Sequence, residues 1–255
     1  MVAVHIMTLN RNKNLKLIKN HWENEETVSL GDVNLRELER LSIIECLKKQ
    51  KVCSLIDIGC GDALDTVCYS DYVKDVYGLD YSNTMLQKAK EVCKGKVSLL
   101  KFDLLKNNIA LKVDMVTTKR LMINLGNFEN QKKAILKIYD CLNKDGYYLM
   151  LECCIDGLNN LNTMRGRVGL DRINEPFHNT YFQLNELVSF VSTHFYIEEV
   201  KYFSTYYFLT RVCNHLLGQD NVKSADGVAK DIHLSFNLSG SIVVGPQFLM
   251  VLRKK

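Results

Sequence analysis

The segment Leu55-Ile56-Asp57-Ile58-Gly59-Cys60-Gly61-Asp62-Ala63 sets one acid and two glycines where an apolar run gives way to an expected helix. A glycine lets the backbone pass close to a ligand, because no Cβ occupies that space. At the carboxyl end of a strand in a doubly wound sheet, that space is the ligand crevice. The third glycine of the dinucleotide fingerprint is missing, since Leu64 stands in its place. A pyrophosphate is held by backbone N–H groups and the positive end of a helix. Asp57, just before the glycines, suits instead a ligand carrying an ammonium or sulfonium cation. Two more acids close expected strands: Asp80, nineteen residues after Gly61, and Asp103 in Lys101-Phe102-Asp103-Leu104. An acid in the position of Asp80 can accept hydrogen bonds from ribose hydroxyls. Each acid alone reads equally well as a turn residue or helix cap. Three of them on consecutive strand ends point to one site.

The elements that must position these residues alternate short apolar strands with amphipathic helices, the pattern of a parallel sheet with crossovers. Expected strands are Val52–Gly59, Val76–Asp80, Val97–Phe102, Met115–Thr118, Tyr147–Cys154, Tyr196–Phe203 and a last one at Phe248–Leu252. Helices are expected at Leu64–Tyr72, Thr84–Cys93 capped by Ser82, Glu129–Leu142 and Leu184–Thr193, with a turn at Asn143–Gly146. Ahead of the sheet, residues 1–50 read as a helical cap. It holds a loose helix within Asn10–Glu26 and a second one to about Gln50 with Asn34 as its N-cap. Residues 51–154 form the core. Two insertions follow: 155–182, expected to be irregular, and 204–245, helical over Thr205–Leu217 with a surface loop at Gln219–Lys230. Two prolines and no linker composition indicate one domain over 1–255.

Taken together, Asp57–Asp62, Asp80 and Asp103 resemble the class I S-adenosylmethionine-dependent methyltransferases, over roughly Val52–Glu152. The resemblance implies a Rossmann-like α/β fold of seven strands, the last antiparallel, with S-adenosylmethionine as cofactor. It implies that Gly59, Cys60 and Gly61 approach the methionine part and Asp57 its amino group. Asp80 would hold the ribose hydroxyls, with Tyr81 and Met85 beside it. Asp103 would accept from the adenine amine, with the N–H of Leu104 next to it. After the fourth strand comes Thr117-Thr118-Lys119-Arg120-Leu121, similar to the Arg-x-Leu of small-molecule enzymes. Lys119 is thus expected near the cofactor, and Arg120 reads as a contact to the cofactor carboxylate, to the acceptor, or as a salt-bridged arginine at the helix start. Arg36 could reach the cofactor carboxylate from the cap helix. An Asn/Asp-Pro-Pro-aromatic tetrad that grips a flipped base is absent at this position.

The acceptor side is expected in the insertions, a layout similar to bacterial methyltransferases of polysaccharide and natural-product pathways. His178 is the candidate general base, because histidine titrates nearest neutral pH. Trp22, Tyr181, Tyr206 and Arg211 are candidate acceptor-binding residues, and His21-Trp22 a candidate lid. A small-molecule acceptor is expected, with no nucleic-acid or membrane partner and a monomeric or homodimeric chain. The formal charge of +4 is spread without a basic stripe. Nine scattered cysteines, unpaired in spacing, and no signal-like start indicate a reducing, cytoplasmic compartment. No metal site is expected. An RNA or protein methyltransferase stays open, as does a nicotinamide-dependent oxidoreductase on the same fold.

Overall fold

The computed structural model describes residues 13–24, 26–27, 30–219, 222–236 and 243–255. Two helices, α1 (Leu15–Glu23) and α2 (Val33–Gln50), precede the sheet. Then come β1 (Ser54–Ile58), α3 (Thr66–Tyr69), β2 (Asp75–Asp80), α4 (Asn83–Cys93), β3 (Ser98–Lys101) and β4 (Val113–Lys119). A 3-10 turn (Met122–Asn124) leads to α5 (Phe128–Cys141), β5 (Leu142–Cys153), α6 (Ile155–Arg167), α7 (Leu184–Val191) and β6 (Phe195–Tyr202). Finally α8 (Ser204–Phe208) runs through a π-helical turn (Leu209–Cys213) into α9 (Asn214–Leu216), followed by α10 (Lys223–Ser235) and β7 (Gln247–Lys254).

The strands lie in the order β3-β2-β1-β4-β5-β7-β6. The first five pair in parallel, and β7 runs antiparallel to both β5 and β6. This is the expected seven-stranded sheet with a reversed last strand. The order turns back between β1 and β4, so the ligand crevice opens at the carboxyl ends of the central strands.

Alternate residues of a strand face opposite sides of the sheet, and here both sides are covered. Leu149 and Leu151 of β5 with Leu249 and Val251 of β7 join one core, under α2, α8 and α10. Tyr148 and Met150 with Phe248, Met250 and Leu252 join the other, under α5 and α7. Burial on both faces explains why the central strands read as continuous apolar runs.

Several boundaries differ from the sequence reading, each for a local reason. The helix after the glycine loop shrinks from the expected Leu64–Tyr72 to Thr66–Tyr69. Asp62 draws the N–H of Leu64 to its own side chain, a competing turn. Asp32, not Asn34, caps α2 by accepting from the N–H of Leu35 at 3.0 Å. The segment expected to be irregular after β5 contains the helix α6. Gly157 is no breaker there: a Cβ on it would sit 2.0 Å from the carbonyl oxygen of Gly245, so glycine is required for close packing. The expected loop at Gln219–Lys230 is mostly α10, apart from residues 220–221, which lie outside the described residues. The buried face of α10 is Asp226, Ala229 and His233, two of them polar, which hid the periodicity. The turn expected at 143–146 is taken up within β5 beside a register shift against β4. Residues 10–12 and 25 of the expected first helical segment lie outside the described residues, and within the rest α1 spans Leu15–Glu23, between the caps Asn14 and Asn24. Among the described residues, no helix is long and apolar enough to cross a membrane. All nine thiols are free.

Candidate active site

A cleft of about 1010 Å³, counting its open mouth, lies at the carboxyl ends of β1, β2, β3 and β4. That is room for a ligand of nucleoside size or larger. One wall is the loop after β1. Gly59 and Gly61 both sit in the left-handed region, with φ of 75° and 57°. A Cβ on Gly61 would meet nothing within 4 Å, and the residue lines the cleft. The loop therefore presents bare backbone to a ligand.

The acids at the next two strand ends complete that half. Asp80 is buried, and its carboxylate accepts the N–H of Gly61 and the N–H of Ser82, each at 2.9 Å. Burial raises its pKa, while these hydrogen bonds pull the other way. Asp103 accepts the N–H of Leu105 at 3.1 Å and pairs with Lys19 of α1. Tyr81, Met85 and Leu104 line the space around the two acids. Ser82 caps α4 as expected, accepting from the N–H of Met85.

Beneath the loop is a buried ionic network. Glu39 of α2 is wholly buried, pairs with Arg120 and accepts from Gln247. Lys119 pairs with Asp65, which also accepts from Arg36 Nε at 3.1 Å. Arg120 is held at φ 54°, a sparsely populated conformation for a residue with a side chain. Its surroundings fix it: the amide donates to Leu151 and the guanidinium meets Glu39. Lys119 and Arg120 both line the cleft.

The turn after Arg120 is held by Glu152 at the end of β5. This carboxylate accepts the N–H groups of Leu121, Met122 and Ile123 at 3.2, 3.1 and 3.4 Å. Burial nevertheless pushes its pKa up to about 7. A carboxyl group that is harder to ionise in the folded chain binds a proton there that the unfolded chain has already released. Its contribution to stability is present below its ordinary value of 4.5 and is lost as pH rises to about 7. His178 and His233, lowered to about 4 by burial, act in the opposite direction over much of the same range. The expected result is therefore a difference between proteins. Glu152→Gln should gain about 3 kcal/mol on the natural chain between pH 4.5 and pH 8, measured by urea denaturation. A constant difference across that range would contradict it.

The second half of the cleft is lined by Trp22, Ile123, Asn124, Leu125, His178 and Asn179. Trp22 donates its indole N–H to Asn124 Oδ1 at 3.1 Å, and Asn124 donates to the carbonyl of Arg120 at 2.7 Å. His178 stacks on His21, with ring centroids 4.4 Å apart.

Among the residues singled out from sequence, Trp22, Gly59, Gly61, Asp80, Tyr81 and Met85 line this one cleft. So do Asp103, Leu104, Lys119, Arg120 and His178. The others lie outside the lining. Asp57 is buried behind the glycine loop, where Thr66 donates to it at 2.5 Å, and burial raises its pKa to about 7. The side chain of Cys60 turns toward Gly78. Arg36 braces the loop from behind through Asp62 and Asp65. Tyr206 and Arg211 both bind Asp32, at 2.7 and 2.6 Å, because the segment after β6 folds onto α2 and away from the cleft. Tyr181 is buried beside Cys153. Sequence reasoning missed Lys19, Asn124 and Asn179 in the lining, and Glu39 and Glu152 behind it. The one available signal was an acid inside an apolar stripe: Glu39 stands four residues after Leu35, and Glu152 follows Leu149–Leu151 in a buried strand.

A sequence model of a family described as a methyltransferase domain matches residues 49–205, well over half of the chain. The chain belongs to this methyltransferase family. S-Adenosylmethionine is its cofactor, and its sheet is the class I methyltransferase fold. Comparison with curated proteins finds no match. Among solved structures, the fold is similar to the N-methyltransferase NodS of Bradyrhizobium japonicum in complex with S-adenosylhomocysteine. The two are 15% identical, the match covers 94% of this chain and 97% of NodS, and the TM-score is 0.58. It is also similar to YcgJ of Bacillus subtilis (16% identity, 85% and 98% coverage, TM-score 0.54). A TehB-like methyltransferase of Corynebacterium glutamicum aligns as well (12% identity, 85% and 87% coverage, TM-score 0.53). The residues present fit the cofactor. Backbone without side chains lines the loop at Gly61, and two carboxylates stand at the tips of β2 and β3 to accept from hydroxyl and amine donors.

Proposed function

We propose that this methyltransferase transfers a methyl group to an oxygen or nitrogen of a small molecule, such as a sugar or natural-product intermediate. One domain, 1–255, would do so. The observation that carries this reading is the continuity of one lining. The same cleft runs from Asp80 and Asp103, suited to the nucleoside, to His178 and Asn124, suited to a polar acceptor. The cofactor supplies an electrophilic methyl group on a sulfonium. The chain's own part is to align the acceptor and keep water out. Apolar Ile123, Leu125 and Trp22 do the second.

His178 is the candidate base. Burial, with His21 and Lys13 nearby, lowers its pKa to about 4, so its imidazole is neutral at pH 7 and free to take a proton. A base this weak takes it as positive charge builds on the acceptor heteroatom, when that proton is most acidic. NodS is an N-methyltransferase, which agrees with a nitrogen acceptor as one of the two classes.

The test is methyl transfer from labelled S-adenosylmethionine to a panel of hydroxyl- and amine-bearing metabolites. On the acceptor found, His178→Ala should cut kcat by about 10²–10⁴ while leaving the affinity for S-adenosylhomocysteine intact. Undiminished turnover would remove His178 as the base.

A further inference from the structure

Helix α1 forms one entire side of the cleft, and what holds it there is mostly polar. Ile18 is its one buried residue, while Leu17 lies 57% exposed on its outer face. At one end Lys19 pairs with Asp103, its ammonium 5.3 Å from the ring centre of Tyr81. Next to it Glu23 accepts from the hydroxyl of Ser82 at 3.2 Å and from the N–H groups of Asn83 and Thr84 at 3.4 and 3.5 Å. On the far side Trp22 binds Asn124, and His21 stacks on His178. The helix thus spans both halves of the cleft, fastened to the β2 and β3 tips on one side and to the acceptor wall on the other.

Contacts of this kind are individually weak, since protein donors and acceptors exchange readily for water. Elements held by few buried apolar groups lie at the low end of local stability and open on their own. Among the described residues, His178 Nδ1 and Asn179 Oδ1 are buried without a hydrogen-bond partner, and both residues line the cleft. His21 of α1 stacks on the His178 ring, so the docked helix packs against a polar atom left unpaired, which is destabilising. Lys19, meanwhile, occupies the carboxylate that the nucleoside reading assigns to an amine donor.

We propose that α1 is a lid latched by Lys19–Asp103 and by Glu23 on the start of α4, and that its opening sets how fast cofactor enters and demethylated product leaves. This rests on the cleft being the cofactor seat. With α1 docked, Ile18 and Lys19 line the same cleft as Gly61 and Asp80, so a ligand bound there is bordered by α1 as well as by the strand ends. Arrival and departure then pass through the undocked state. Lid opening and local unfolding take microseconds to seconds, and a latched lid belongs to the slower part of that range.

The chain carries its own reporter, because Trp22 is its single tryptophan and sits on the lid. Stopped-flow mixing with S-adenosylhomocysteine, followed by Trp22 emission, should give an observed rate that levels off with ligand concentration. Glu23 is exposed and does not line the cleft, so Glu23→Ala loosens the latch without touching the ligand. It should raise the plateau and the dissociation rate together, each at least threefold by a rough expectation for one lost latch contact. The dissociation constant should move less than either. Observed rates that climb linearly to the mixing limit, or a plateau unchanged in Glu23→Ala, would overturn the lid. Calorimetry on the same proteins separates the two readings: no binding of S-adenosylhomocysteine removes the cofactor seat, whereas normal binding with linear kinetics removes the lid alone.

Discussion

Glu39→Ala should melt about 10 °C below the natural protein, because it removes the buried carboxylate that pairs with the Arg120 guanidinium. Glu39 is wholly buried and pairs with Arg120, while Lys119 lies 3.9 Å away. The two cations differ in what remains to them. Lys119 keeps Asp65, but Arg120 loses the carboxylate its guanidinium meets, at a position already held in the left-handed region. Breaking a buried pair from one side costs about 3–5 kcal/mol, and a domain of this size loses about 2–4 °C per kcal/mol. Gln247, whose amide nitrogen donates to Glu39, loses that acceptor, while its oxygen keeps the Tyr207 hydroxyl. Glu39→Gln keeps an acceptor of the same shape and should fall between the two. Differential scanning calorimetry at fixed pH and salt measures all three; a drop of under 2 °C for the alanine variant would be far too small for this mechanism.

What could be read from sequence were the features whose cause is local. The glycine loop, the Ser82 cap and the acids Asp80 and Asp103 follow from turn and capping chemistry within a few residues, and each stands where expected. The antiparallel β7 was visible as an apolar run after Gly245-Pro246 and through the family resemblance. What escaped depends on partners far along the chain. The buried face of α10 contains Asp226 and His233, which look like surface residues until Asn214 and Phe203 are packed against them. Gly157 looks like a breaker until Gly245 is found against it. Tyr206 and Arg211 have the composition of a pocket wall, yet Asp32, more than 170 positions away, claims both. Lys19 could not be placed over Asp103 by any local rule, since 84 residues separate them.

The second large effect is on cofactor binding, in Asp80→Ala. The carboxylate serves two ends at once. One oxygen accepts from Gly61 and the other from Ser82, so it fixes both the glycine loop and the start of α4. A carboxylate has about four lone-pair sites, so two remain for the vicinal hydroxyls of a ribose. Hydrogen bonds to a charged acceptor contribute about 1.5–3 kcal/mol each. Losing two therefore weakens binding by roughly a hundredfold or more. The orphaned N–H of Gly61 adds to this, because the loop no longer holds its bare backbone toward the cleft. Asp80→Asn keeps one acceptor oxygen and should lose less. Neither change touches the cores on the two faces of the sheet, so circular dichroism of both variants should match the natural chain.

Calorimetric titration of S-adenosylhomocysteine into the natural chain and into Asp80→Ala, with NADH as the competing nucleoside, tests the cofactor seat most directly. The natural chain should bind S-adenosylhomocysteine and give no heat with NADH, and Asp80→Ala should bind at least about a hundredfold more weakly. Equal affinity in the folded variant would mean that the nucleoside is held somewhere other than the tips of β2 and β3.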